Sequence, residues 1–308
     1  MKKTTLRDVA QEAGVSVATV SYVLNNVSNQ TIPEETRQRV FEAASKLHYV
    51  QNLTAKALSL GKTNVIGVLF ANASDTLVPK LVSYGAFLDR LERKCHHNGY
   101  HLMVSQIDPL KPSFDIIVER KLDGVFLIDA PEQSFHTVSG NLQYGSPLVV
   151  IDGLIDDRLF RKVNPDFPGV LEELKSAFPG EQAYALIHEK TSNLLFQQKI
   201  QAYSGLDQDR LLAATNDEDK LRAFIERQGD KPIVVFNEFL AMRAMKYRAP
   251  DSLVVVCTSE CPELLPEGTR KVVLGRSKAD VAYELMVSLL QSPFSPLEDQ
   301  SIECRFMK

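Results

Sequence analysis

The chain has 308 residues, with 44% hydrophobic and 24% charged residues and a formal net charge of −4. By length that is roughly two domains of about 150 residues each. The composition excludes a collagen-like, disordered or disulfide-scaffold chain, and the acidic balance taken alone argues mildly against nucleic acid.

The charge is uneven. Residues 1–62 carry 8 Lys and Arg against 5 Asp and Glu, whereas residues 63–308 carry 27 against 34. The four cysteines, Cys95, Cys257, Cys261 and Cys304, form no zinc pattern and read as reduced thiols. No apolar run reaches the roughly 20 residues that span a bilayer, and the N-terminus has no signal-peptide core. A cytoplasmic protein is expected, with no metal and no cofactor.

Thr5 and Asp8 have capping-box spacing ahead of Leu6, Val9, Ala10 and Ala13, which repeat at helical intervals. Gly14 suits a helix end. Ser16 reads as the cap of a second helix, Val17 to about Asn25, with Val20, Val23 and Leu24 as its apolar stripe. Thr31 and Pro33 announce a third helix, whose Val40, Phe41, Ala43, Ala44 and Leu47, followed by Tyr49, are expected to cover the first two. The result is helix, turn, helix and a supporting helix. An ordinary three-helix cap has the same pattern. The second helix departs from it, because Val17, Ala18, Thr19, Ser21, Tyr22 and Asn25 are small or hydrogen-bonding and uncharged. Such a face suits a major groove.

The run from Thr5 to Asn25 resembles the helix-turn-helix signature of the LacI/GalR family of bacterial transcription regulators. Asn52-Leu53-Thr54-Ala55-Lys56-Ala57-Leu58 resembles that family's N-x-x-A-x-x-L hinge helix. The resemblance implies that Val17, Ala18 and Tyr22 read bases. Thr5, Leu6, Ser16, Thr19, Ser21, Asn25 and Thr31 complete the expected DNA surface. Tyr22 stands where the family often has Arg and cannot reproduce the bidentate contact to guanine. In the family, the hinge orders in the minor groove and its leucine, here Leu58, wedges between base steps, with Asn52 and Ala55 on the same segment. As a plain linker residue, Leu58 would rest on the core instead. Two headpieces acting on a double-stranded palindromic operator imply a homodimer.

From Val65 onward, short apolar runs alternate with helical patterns: 65–70, 100–104, 125–128, 148–151, 183–187, 233–236, 253–256 and 272–274. Alternation of this kind means an α/β fold with parallel sheets. The resemblance continues in Lys62–Val68, Asn98-Gly99-Tyr100, Leu122–Val125 and Gly145–Asp152. It implies a periplasmic-binding-protein-like core of two parallel-sheet subdomains behind an all-α headpiece. The expected divisions are a headpiece at 1–50, a hinge at 51–62 and a core at 63–308. Within the core, one subdomain covers about 63–162 and 276–292, the other about 163–275 and 293–308. The segment from Ser105 to Lys121 is short for the family, so its helix is expected to be truncated.

The resemblance also implies a small-molecule effector in the cleft, but its motifs become patchy. The positions implied to meet the effector are Asn72, Asp75, Asp166, Lys199, Asn237, Glu238 and Thr258. Lys199 replaces the family's Arg, and Thr258 falls in an element that has lost its aspartate. The usual sugar grip is weakened, since Lys offers a point charge rather than a planar fork. A sugar, an anionic metabolite with Lys199 as counter-charge, or a degraded site controlled by a protein partner all remain open. So does a small-molecule binding protein whose N-terminal helices serve assembly. No catalytic constellation is present, so no enzyme is expected. His96-His97 reads as solvated. Glu172-Glu173 and Asp217-Glu218-Asp219 read as acidic helix starts.

Overall fold

The structure, a computed structural model, describes the chain except residues 1–3, 25–30, 50–61, 72–77, 109–110, 133, 136, 138–145, 158–159, 179–183, 293–297 and 308. The chain divides into two compact units, 1–63 and 64–308.

The first unit contains α1 (Leu6–Ala13), α2 (Val17–Leu24) and α3 (Glu34–Lys46). Val9, Ala13, Val20, Val23, Val40 and Ala43 form its buried centre, with Ala44, Leu47 and Tyr49 packed against it. Phe41 was expected there too, but it faces solvent with 54% of its surface exposed. The α3 stripe runs through Val40, Ala43, Ala44 and Leu47, and position 41 falls outside it. Lys46 reaches back to Glu12 on α1 at 2.6 Å.

In the second unit, β1 (Val65–Ala71), β2 (His101–Ile107), β3 (Gly124–Ile128), β4 (Leu148–Ile151), β5 (Arg161–Pro165) and β11 (Gln300–Ile302) form a parallel sheet in the order β11-β5-β4-β3-β1-β2. Alternate residues serve its two faces, as strand geometry requires. Ile66, Val68, Phe126, Ile128 and Val149 meet Leu91 and Cys95 of α4 (Val78–His97) and Leu285 and Met286 of α10 (Lys278–Gln291). Leu69, Val125, Leu127 and Val150 meet Phe114 and Ile117 on the other face. Gly124 is needed for this closeness, because a Cβ there would lie 2.5 Å from the Met286 sulfur. Among the described residues, the short helix α5 (Asp115–Glu119) is the one helix between β2 and β3, as expected for the truncated segment.

The second sheet has β6 (Ala185–Glu189), β7 (Leu211–Ala214), β8 (Ile233–Phe236), β9 (Leu253–Cys257), β10 (Arg270–Leu274) and β12 (Cys304–Phe306), in the order β12-β10-β9-β8-β6-β7. Only β12 is antiparallel within it. Helices α6 (Phe167–Ala177) and α7 (Leu194–Ser204) contribute to the core on one face. Helices α8 (Glu218–Arg227) and α9 (Glu238–Ala244) cover the other.

Strand membership shifts the expected subdomain boundaries. β5 belongs to the first sheet, so the chain first crosses at Asp166 rather than at 163. Residues 300–302 also join the first sheet, and the last crossing falls at Glu303. Glu172 and Glu173 lie mid-helix in α6 rather than at its start, whereas Asp217 caps α8 as expected. His96 and His97 are exposed at the end of α4. The four cysteines are free, and burial pushes Cys95 up to about 12, which suits an inert thiol. No helix among the described residues is long and apolar enough to cross a membrane.

Candidate nucleic-acid interface and core cleft

Local hydrogen bonds set the headpiece geometry. The Thr5 backbone N–H donates to the Asp8 carboxylate at 2.7 Å, and the Asp8 N–H returns to the Thr5 hydroxyl at 3.4 Å. Gly14 takes φ of 64° and ψ of 38°, and its N–H meets the carbonyls of Ala10 and Gln11, ending α1 and turning the chain. Ser16 caps α2, its hydroxyl accepting from the Thr19 N–H at 3.0 Å and lying 2.9 Å from the Thr19 hydroxyl.

With Val20 and Val23 buried, helical geometry turns Val17, Ala18 and Tyr22 outward. Val17 is 43% exposed and Tyr22 38% exposed, unusual for side chains this apolar, and Ser21 lies half-buried beside them. Thr31 is exposed ahead of α3, which starts at Pro33 without a side-chain cap. Leu6, expected both on the α1 apolar stripe and on the DNA surface, is half-buried and packs against the headpiece core. Asn25, Asn52, Ala55 and Leu58 lie outside the described residues.

In the core, three strands end in a residue with positive φ: Asp129 after β3 (54°), Asp152 after β4 (52°) and Asn237 after β8 (88°). Strand C-terminal ends are where open parallel sheets place ligands. Their side chains face one cleft between the two subdomains. Asp129 accepts from Lys80 of α4 and, across the cleft, from the Thr191 hydroxyl and the Ser192 N–H. Lys278 donates to both Asp152 oxygens, at 2.9 and 2.8 Å. Asn237 donates to Ser83 at 2.6 Å and Ser259 at 3.0 Å, and those two hydroxyls lie 2.7 Å apart. Asn193 donates to the carbonyls of Ala130 and Leu154 at 3.0 and 2.8 Å.

The positions expected to meet an effector do not all converge. Asn237 and Thr258 line the cleft cavity, whose volume is about 70 Å³. Glu238 is fully buried, and its carboxylate accepts from the N–H groups of Ser259 and Cys261 at 3.0 and 2.8 Å. It anchors the loop after β9. Asp166 is spent capping α6 through the Gly169 N–H at 3.2 Å. Lys199 is exposed on α7, 5.7 Å from the Tyr203 ring, and lines a separate pocket of about 200 Å³. Asn72 and Asp75 lie outside the described residues. The cavity instead assembles Lys80, Tyr84, Asp129, Asp152, Glu189 and Lys278. One signal was present: Asp129, Asp152 and Asn237 each directly follow a buried apolar run, where Asp and Asn tolerate positive φ.

Burial governs the protonation of these groups. It pushes the Glu189 carboxyl up to about 7 and the neighbouring His188 down to about 4. It also raises the Asp129 carboxyl, against the opposing pull of Lys80. The Tyr84 phenol is raised well above its usual range by burial and then by the nearby carboxylates of Asp129, Glu189 and Asp152.

A family model described as bacterial regulatory proteins, lacI family, matches residues 5–52. The probable HTH-type transcriptional repressor ExuR of Bacillus subtilis (strain 168) is 31% identical over 161 residues, covering 52% of this chain and 46% of that protein. The sucrose operon repressor of Pediococcus pentosaceus is 31% identical over 171 residues, covering 54% and 49%. The chain thus spans about half the length of these two relatives. The HTH-type transcriptional repressor PurR of Aliivibrio fischeri (strain ATCC 700601 / ES114) is 23% identical over 281 residues, covering 82% and 80%. In fold, the chain matches a crystal structure of the lac repressor dimer bound to operator and the anti-inducer ONPF. The TM-score is 0.73 at 18% identity, over 100% of this chain and 98% of that one. The lacI-family signature thus lies in residues 5–52, and the chain as a whole shares the fold of that repressor structure.

Proposed function

We propose that the chain is a cytoplasmic, sequence-specific DNA-binding repressor of transcription, acting as a homodimer on a palindromic operator. The observation that carries this reading is the outward, uncharged face of α2. Val17, Ala18 and Tyr22 form a surface that a major groove can accept, on a helix whose start is fixed by Ser16. The basic balance of residues 1–62 supports contact with phosphates, and such binding weakens steeply with salt. The relatives named above are called repressors, and one neighbouring structure is a dimer on operator DNA. On α4, Val78, Leu81 and Val82 leave an apolar stripe exposed at i, i+3 and i+4, which suits a second copy.

Control runs through the core. An effector that changes the arrangement of the subdomains moves the two Asn52–Leu60 segments, which must both reach the minor groove for tight binding. A second reading has a specific observation behind it. A cavity of about 70 Å³ lies far below the roughly 300–1,000 Å³ of typical ligand sites, and most of its polar groups already satisfy one another. That favours a regulator whose small-molecule sensing has narrowed or been replaced by a protein partner.

Genome-wide mapping of bound DNA tests the first reading, with a palindromic motif expected. On that motif, Tyr22→Ala is expected to weaken binding about tenfold, in line with loss of one base contact. Leu58→Ser is expected to weaken it further, and unchanged affinity would sink the hinge model. Thermal shift of the full chain against sugars and phosphosugars separates the effector reading from the partner reading.

A further inference from the structure

When Glu189 is ionised, the cleft cavity holds one more carboxylate than ammonium groups. Its two ammonium groups are each matched: Lys80 is paired with Asp129, and Lys278 with Asp152. A third carboxylate, Glu189 at the end of β6, lines the same space. Its Oε1 is buried and has no hydrogen-bond partner. His188 offers it no charge, since burial keeps that ring neutral and its Nδ1 lies 2.9 Å from the Glu189 carbonyl. Tyr84 is 8% exposed, and its hydroxyl also lacks a partner. Buried polar atoms without partners are few in folded proteins and point to a missing ligand or water.

The remaining wall is aromatic. Phe167 packs edge-on to Phe196, with ring centroids 5.0 Å apart, and at 5.3 Å from Phe236. All three line the cavity. Aromatic rings attract cations, and a buried ionised carboxylate whose neighbouring lysines are already paired does so more strongly. Lys199, the group read from sequence as a counter-charge for an anion, lies outside this cavity.

Building on the effector reading above, we propose that the cleft binds a small primary ammonium compound with a short apolar stem. The ammonium sits between the Glu189 carboxylate and the Tyr84 hydroxyl. The stem lies against Phe167, Phe196 and Phe236. A neutral sugar hydroxyl would bring no charge to the ionised Glu189 carboxylate, and a cavity of about 70 Å³ admits only a few heavy atoms.

The test uses the full chain with propylammonium, 1-propanol and propionate, read by calorimetry and thermal shift. Saturable binding is expected for propylammonium only, and it is expected to disappear in Glu189→Gln. Affinity in the wild type is expected to be about tenfold tighter at pH 8 than at pH 6, because Glu189 ionises near 7 while the amine stays charged. The groups facing Glu189 are Lys80 and Tyr84 from α4, Asp129 and Asp152 at the strand ends, His188 on β6 and Lys278 from α10. Equal binding of propanol or propionate, binding retained in Glu189→Gln, or no binding of the amine overturns the proposal. If Glu189→Gln fails to fold, the pH profile and the two isosteres decide on the wild type. Operator binding is measured on the same preparation. Its persistence without amine binding overturns this inference alone, and a shift with a hexose keeps the effector reading with another ligand.

Discussion

Arg90 on α4 of the first subdomain donates to the carbonyl of Glu260 in the second at 2.6 Å, and lies 3.2 Å from that residue's carboxylate. The same carboxylate accepts from the Lys278 N–H at 2.7 Å, so one loop residue joins two helices of the opposite subdomain. Glu260 holds a φ of 58°, a conformation that persists only where surrounding bonds enforce it. The Arg90→Ala variant is expected to lose about 1 kcal/mol of stability and to enlarge the radius of gyration of the core. Urea unfolding and small-angle scattering check both, and an unchanged radius means that Arg90 does not hold the cleft closed.

The headpiece depends on two caps. Gly14→Ala forces a Cβ into positive φ with no clash to relieve it by repacking, and is expected to cost about 1 kcal/mol. Ser16→Ala removes the cap of α2 at a similar cost. Both variants are expected to lower the unfolding midpoint of the headpiece in urea while leaving the unfolding of the core unchanged.

Tyr22 is a specificity position on an already folded surface. Tyr22→Arg is expected to leave stability within about 0.5 kcal/mol and to shift the preferred base at one operator position toward guanine. Selection from an operator library randomised at each position reads the change directly.

His188 and Glu189 respond to pH in opposite senses. His188 is lowered to about 4 from 6.5, so its contribution is complete above pH 6.5 and is lost as pH falls toward 4. Glu189 is raised to about 7 from 4.5, so its contribution is complete below pH 4.5 and is lost as pH rises through 7. Glu189→Gln is expected to be more stable than the wild type at pH 8, by on the order of 2 kcal/mol, and equal to it near pH 4.5. Thermal melts across that range check that the two curves separate as pH rises.

Much of this fold could be read from the chain alone. The headpiece helices were legible because their caps and stripes are local, and most strands because they are continuous apolar runs. β5 and β7 were missed: Arg161-Lys162 masks the first, and Leu211–Ala214 has no β-branched residue to mark it as a strand. The cleft was less legible. Lys80, Asp129 and Glu189 come together only when distant strand ends align, and no local spacing marks them. Asp166 and Glu238 look like ligand groups in sequence, yet the backbone N–H groups beside them claim both.

Residues 300–306 place β11 in one sheet and β12 in the other, with a single residue between them. On the ribosome, the headpiece can fold early, whereas neither core sheet is complete until this stretch has emerged. One short stretch therefore completes both sheets of the core.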